Sequence, residues 1–248
     1  MKIGIMTDIH SNILALDTLL AEFAHHDLDE ILFAGDAVGL GPRPEEVVQR
    51  LMTIPNLRAV AGNSDLYMRE EFAGISQASG LQEHYAWTKE RLSARSLEFL
   101  ASFPLEQTLE REGKTFHLIH YPMTAPGVYK PYLYPSTWTG ITELFSNYKA
   151  DVHVYGHEHS GYWEQQDGRW FVNTRSLGCP ARTNGLARGG IFSFQNGRIK
   201  FEYVAVPYHK QIVIDDIDHL KYPHYEMLNR YFFGAYGGME MLSGLIDA

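Results

Sequence analysis

A single cysteine, Cys179, stands in a chain of 248 residues, so no intrachain disulfide can form. Basic residues are also short: 21 Lys and Arg face 30 Asp and Glu, a formal charge of −9. That balance argues against phosphate-backbone binding as the main business of the surface, so an anionic partner would need a local source of attraction. No apolar run approaches the ~20 residues that cross a bilayer, and the N-terminus joins no basic start to an apolar stretch and a cleavage site. Repeats, low-complexity tracts and linkers are missing too. These absences leave an ordinary α/β chain, expected in the cytosol, with neither duplex nucleic acid nor membrane as partner.

What the chain does contain is alternation. Lys2 to Thr7 reads as a strand; Ile13, Leu16, Leu19, Leu20 and Phe23 then recur at helical spacing behind the capping residues Ser11 and Asn12. A buried strand at 31–34, a helix opening at Pro44 and a strand at 57–61 continue the βαβ pattern of a sheet with parallel strands. Residues 64–103 read as mostly helical, with Trp87, Leu92, Leu97 and Leu100 facing inward. The second half changes period. Glu112-Gly113, Asp167-Gly168 and Asn196-Gly197 each separate two strand-like runs, three hairpin signals in succession. A helix near 139–148 and a strand at 151–155 lie between the first two. Two sheets of mixed direction covered by helices therefore fit better than one open parallel sheet. Residues 208–248 read as a C-terminal helical appendage packing on the domain formed by 1–207.

Loops that follow strands carry ligand-type side chains: Asp8-Ile9-His10, Gly35-Asp36, Gly62-Asn63-Ser64-Asp65, His120, and Gly156-His157-Glu158-His159. Taken singly, Asp36 reads as a turn or cap residue and His120 as a strand-end histidine. A Gly-His-x-His string, however, is expected only about 0.05 times in a chain of this composition. Sheets with parallel strands place ligands outside the carboxyl ends of those strands, where these loops can converge. Together they supply two Asp, four His and one Asn, a mix of imidazole and oxygen that suits Mn, Fe or Zn rather than Mg alone. Seven ligands are too many for one catalytic ion with an open position. They suit two ions about 3.5 to 4 Å apart sharing a carboxylate.

The order of these blocks resembles the calcineurin-like metallophosphoesterase family, in particular its small bacterial and archaeal phosphoesterases; the runs 35–42 and 173–182 add to the likeness. The resemblance implies a four-layer αββα sandwich, two mixed β-sheets flanked by helices. It also implies that Asp8, His10 and His159 hold one divalent transition-metal ion and Asn63, His120 and His157 a second, with Asp36 between them. The ions would be Mn or Fe, with Zn a further candidate, and a metal-bridging hydroxide would attack phosphorus.

One position departs from the family pattern. Many members carry His where Ser64 stands here, and that His is thought to protonate the leaving oxygen. General-acid help contributes about 10²–10⁴-fold and matters most for a basic alkoxide. Phosphoanhydrides and activated diesters need it less. The expected substrates are therefore phosphodiester or phosphoanhydride links of nucleotides or dinucleoside polyphosphates. A serine/threonine phosphoprotein phosphatase or general phosphomonoesterase is the alternative, and a non-catalytic scaffold of the same fold a second one. Asp65, without the His it would orient, is left as a helix cap. His84 would replace the acid if the helical flank folds over the cleft, against the plainer reading of a solvated helix-face histidine. Arg182 and Arg43 are candidate phosphate clamps. Tyr121, with Tyr129, Tyr132, Tyr134 and Lys130, is a candidate base-stacking rim. Cys179 reads as inert packing.

Overall fold

The computed structural model describes residues 1–69, 82–180, 185–195 and 197–234. Strand β1 (Lys2–Met6) pairs in parallel with β2 (Glu30–Phe33), and β2 with β3 (Leu57–Ala59). A long hairpin, β11 (Leu186–Gln195) and β12 (Arg198–Pro207), adds antiparallel to the other edge of β1, giving the order β12-β11-β1-β2-β3. The second sheet holds β4 (Glu106–Arg111), β5 (Lys114–Ile119), β8 (Val152–Val154), β10 (Arg169–Asn173) and β9 (Tyr162–Gln166), in that order. Its inner pairs β5–β8 and β8–β10 are parallel and its outer pairs antiparallel. Strands β6 (Met123–Ala125) and β7 (Val128–Tyr129) form a separate ribbon.

The two-residue period of a strand assigns the layers. Ile3, Ile5, Leu32 and Ala34 meet Phe116, Leu118, Val152, Val154 and Val172 between the sheets. Met6, Ile31 and Phe33 point the opposite way, toward helices α1 (Ile13–Phe23), α2 (Pro44–Met52) and α5 (Ala94–Ala101). Eleven residues are too few for an isolated helix in water. Helix α1 is therefore held by its buried Leu16 and Leu19 and by Asn12, whose side chain caps Ala15 N at 3.0 Å. Over the second sheet lies α6 (Trp138–Leu144), with Ile141 buried against Ile119, Tyr155 and Phe171. The result is the four-layer sandwich that the resemblance implies, built on the two mixed sheets that the alternation and the hairpins lead one to expect.

The helical reading of 64–103 resolves into α3 (Asn63–Leu66), α4 (Gln82–Lys89) and α5; residues 70–81 lie outside the described residues, as does Asn196 of the third hairpin. After β12 come α7 (Lys210–Leu220) and α8 (Tyr225–Tyr231). Their Val213, Ile217 and Leu228 pack with Phe233 onto Leu40 and Cys179, so this segment reaches the loop that follows β2. Among the described residues no helix is long and apolar enough to cross a membrane.

Sheet register also places two histidines side by side inside the second sheet's outer face. His117 and His153 are paired positions of β5 and β8, and both are buried. Nε2 of His117 lies 2.9 Å from Glu106 Oε2 and its Nδ1 3.2 Å from His153 Nδ1. A carboxylate only accepts, so His117 carries its proton on Nε2 and receives one from His153 at Nδ1. A further proton on His117 Nδ1 would set two N–H groups against each other. Burial pushes both imidazoles down, His153 to about 3 with help from His117 and Arg169; Glu106 opposes the shift at His117. Unfolded histidines titrate near 6.5, so the unfolded chain binds more protons below that pH and the native state loses stability as pH falls. His153→Phe, which keeps the stack on Phe171, should lessen the loss of stability between pH 7 and 5 by about 2 kcal/mol. Urea unfolding at the two pH values checks this; parallel pH dependence in variant and wild type would refute it.

Candidate metal centre

Five strand ends deliver the seven ligand-type side chains to one place. Asp8 and His10 follow β1, Asp36 follows β2 and Asn63 opens α3 after β3; His120 follows β5, and His157 and His159 follow β8. The turns are tight: Asp8, His10, Asp36 and His157 have φ of 54°, 47°, 61° and 70°. Left-handed backbone at a non-glycine residue costs about 1–3 kcal/mol and persists only where the surroundings hold it. Here loop crosses loop. Asp8 N donates to Gly35 O at 2.9 Å, His10 N to Asp36 O at 3.0 Å, Gly156 N to His120 O at 2.8 Å and Gly178 N to Asp8 O at 2.9 Å. Two glycines are required by that closeness. A Cβ on Gly62 would lie 2.2 Å from Asp36 Oδ1, and one on Gly156 2.0 Å from Thr7 Oγ1.

The side chains fall into two sets that meet at Asp36. In the first, His10 Nε2 lies 3.0 Å from His159 Nε2 and 3.8 Å from Asp8 Oδ1, and His159 Nε2 lies 3.6 Å from the same oxygen. In the second, Asn63 Oδ1 lies 2.9 Å from His157 Nδ1 and 3.2 Å from His120 Nε2, which are 3.3 Å apart. Asp36 Oδ2 stands 3.6 Å from His10 Nε2 and 3.6 Å from His120 Nε2, one contact to each set.

These atoms are mostly acceptors. His120 Nδ1 sits 2.7 Å from the Ala34 carbonyl, which can only accept, so Nδ1 carries the proton and Nε2 presents a lone pair to the cluster. His10 is oriented the same way, more loosely, by Val38 O at 3.4 Å. Burial pushes Asp8 up to about 7 and Asp36 well above the usual carboxylate range, with Asp65 beside Asp36 adding to its shift. Burial, with neighbouring histidines, holds His10 and His157 well below the usual imidazole value. Carboxylate, imidazole and amide lone pairs turned toward one another away from water lack only a cation to offset their desolvation. Divalent transition metals fit this donor set, and two ions fit its division.

A family model described as the calcineurin-like phosphoesterase superfamily domain matches residues 1–194. The chain belongs to that superfamily. An uncharacterised protein of Methanocaldococcus jannaschii is 26% identical over 223 residues, which are 83% of this chain and 87% of that one. A metallophosphoesterase from Sphaerobacter thermophilus shares the fold with a TM-score of 0.73 at 23% identity, over 94% of this chain and 99% of its own. So does a hypothetical protein from Pyrococcus horikoshii, with a TM-score of 0.79 at 18% identity, over 94% and 98%.

Other residues singled out in this superfamily member have different surroundings. Asp65 does more than cap a helix. Its carboxylate accepts from Asp36 N at 2.9 Å, Ala37 N at 2.9 Å and Gly62 N at 3.0 Å, tying the β2 loop to the β3 loop. Ser64 is buried and its N–H donates to Asp36 Oδ1 at 2.8 Å, fixing the rotation of the shared carboxylate. His84 is neither solvated nor over the cluster. It is wholly buried, its ring packs on Tyr222 and His224, and both its nitrogens lack partners among the described residues, so burial pushes it down to about 4. The guanidinium of Arg43 is engaged by Asp216 of α7 through two 2.6 Å contacts, which fill the fork a phosphate would need. Arg182 lies outside the described residues.

The tyrosine segment divides. Tyr121 is buried beneath His157 and is no rim residue; its hydroxyl donates to Glu158. Lys130 Nζ donates to Leu144 O at 2.9 Å and so anchors α6 instead of a substrate. Tyr132 and Tyr134 are the outward rings, 48% and 79% exposed, and of the two Tyr132 stacks on His157. One feature went unread. Glu158, between two candidate ligands, faces away from them and accepts from Leu133 N at 2.8 Å and Ser136 Oγ at 3.1 Å; alternation along the His157-Glu158-His159 run was the available signal. Cys179, in a loop beside the site, is buried, and its sulfur lies within 4.8 Å of ring nitrogens of His10 and His159.

Proposed function

We propose that this chain is a dinuclear metal-dependent phosphoesterase that hydrolyses phosphodiester or phosphoanhydride bonds of small nucleotide-like substrates in the cytosol. One observation carries the reading: seven donor side chains from five strand ends form two sets joined by a single buried carboxylate, Asp36. Asp8, His10 and His159 would hold one ion, Asn63, His120 and His157 the other, with manganese or iron suited to both sets and zinc a further candidate. Divalent ions bound there supply Lewis acidity, making water acidic enough to ionise near neutral pH and offsetting charge on phosphoryl oxygens. The protein's part is preorganisation. Thr7 Oγ1 donates to Asp8 at 2.7 Å, Ala34 O sets the tautomer of His120, and Asp65 fixes the loop that carries Asp36.

Among the described residues, neither of the two candidates for protonating a leaving alkoxide is suited to it. Ser64 is neutral, and His84 is walled off by Tyr222 and His224. Leaving groups that depart as weak bases are therefore favoured, and alkyl phosphomonoesters, the substrates of a phosphoprotein phosphatase, are not. The test is a manganese-supplemented panel: an aryl phosphodiester, an aryl monoester, a phosphoserine peptide and diadenosine tetraphosphate. Diester or anhydride turnover at least about 10²-fold above the phosphopeptide is expected. Equal turnover of the phosphopeptide would move the assignment to a phosphatase, and no turnover by metal-loaded protein would move it to a scaffold.

A further inference from the structure

Of the aromatic rings that flank the metal centre, Tyr132 is half exposed and Phe232 is partly buried against the core of the C-terminal segment. The Tyr132 ring is stacked parallel to the His157 imidazole, at 3° and 4.6 Å between centroids, so one face is covered while the residue stays half exposed. On the other flank Phe232, just past α8, meets His159 edge-on at 6.1 Å. It comes from a segment beyond the residues 1–194 that the family match covers.

An exposed aromatic ring in a loop is ordinarily mobile, but this one is held. Leu133 N, adjacent to Tyr132, donates to Glu158 Oε1 at 2.8 Å, and Ser136 donates to Oε2 at 3.1 Å. Tyr121 donates to the same carboxylate from below. Glu158 sits between His157 and His159, so the turn that presents the two histidines also fixes the loop that presents the ring. A half-exposed ring held rigid pays little ordering entropy when a planar partner stacks on it. Such stacking is tolerant of base identity because every base has a π face. No cationic side chain among the described tyrosine-segment residues competes for the role, since Lys130 is spent on Leu144 O.

We propose that Tyr132 is the stacking platform for the nucleobase of the substrate, with Phe232 walling the opposite side and Glu158 acting as its positioning residue. The proposal rests on the phosphoesterase reading and adds to it a recognised group, an aromatic base attached to the scissile phosphate chain. The cleft then selects nucleoside polyphosphates over inorganic ones, although both offer the same anhydride bond.

The experiment compares wild type, Tyr132→Leu and Tyr132→Phe, all manganese-loaded, on diadenosine tetraphosphate and on inorganic tripolyphosphate. Tyr132→Leu should raise KM for the dinucleotide about tenfold with kcat within about twofold, leaving both constants for tripolyphosphate unchanged. Tyr132→Phe should behave as wild type. Equal losses on both substrates, or no change on either, would overturn the platform. Equilibrium binding of AMP and of inorganic phosphate, followed by calorimetry, reads the same question without turnover. Tyr132→Leu should weaken AMP about tenfold and phosphate not at all; unchanged AMP binding refutes the proposal. Absent turnover with base-dependent binding intact would instead count against the hydrolase reading alone.

Discussion

Asp36→Asn will lower manganese-supported turnover of an aryl phosphodiester by at least about 10³-fold, close to 4 kcal/mol of lost transition-state stabilisation. The substitution is close to isosteric, and an asparagine oxygen can still accept from Ser64 N, which now donates to Asp36 Oδ1 at 2.8 Å. What it removes is the charged Oδ2, the one atom that stands 3.6 Å from both His10 and His120. A neutral amide can neither hold two cations nor offset their charge, so the loss should exceed that of any ligand belonging to one set. Stability should move the other way. Asp36 is almost fully buried, and burial with Asp65 nearby pushes its carboxyl up, so the amide relieves an unfavourable buried charge in metal-free protein. Metal-free Asp36→Asn is expected to melt at or above the wild-type temperature while being inactive. Turnover within tenfold of wild type would remove Asp36 from the shared position.

Most of the sandwich was legible because its signals are local. Period two in Ile3-Gly4-Ile5-Met6, the cap at Asn12, Pro44 at a first helical turn and the Glu112-Gly113 and Asp167-Gly168 turns each act over a few residues. The seven ligand candidates were legible for a related reason: each sits directly after a strand, and parallel strands bring their carboxyl ends to one side. Second-layer partners were not. Asp65 is bound by its own Gly62 and also by Asp36 and Ala37, and only the loop crossing between β2 and β3 makes that possible. Arg43 offers an unpaired guanidinium to a reader of the sequence, and its partner Asp216 stands 173 positions away. His84 misled because its helix face is covered by Tyr222 and His224, from an appendage with no periodic tie to α4. Contacts between distant segments decide which polar residues are spent on structure, and they decide which remain for chemistry.

Metal loading should be visible in stability as well as in rate. A ligand that binds only the native state raises its stability by about 2.7 kcal/mol at a hundred times Kd, so two independent ions contribute about 5 kcal/mol. For a chain of this length each kcal/mol moves Tm by about 2–4 °C, and manganese at that excess should raise Tm by about 10–20 °C. The two sets make the expectation divisible. His159→Ala touches the first set alone and Asn63→Ala the second, so each should keep roughly half of the rise, whereas Asp36→Asn, shared by both, should lose most of it. Differential scanning calorimetry of chelator-treated protein, titrated with manganese, reads all four. A single-step gain abolished equally by His159→Ala and Asn63→Ala would mean one ion bound across both sets. No gain in wild type would mean that the strand ends gather seven donors without holding a metal, and the fold would then be serving as a scaffold.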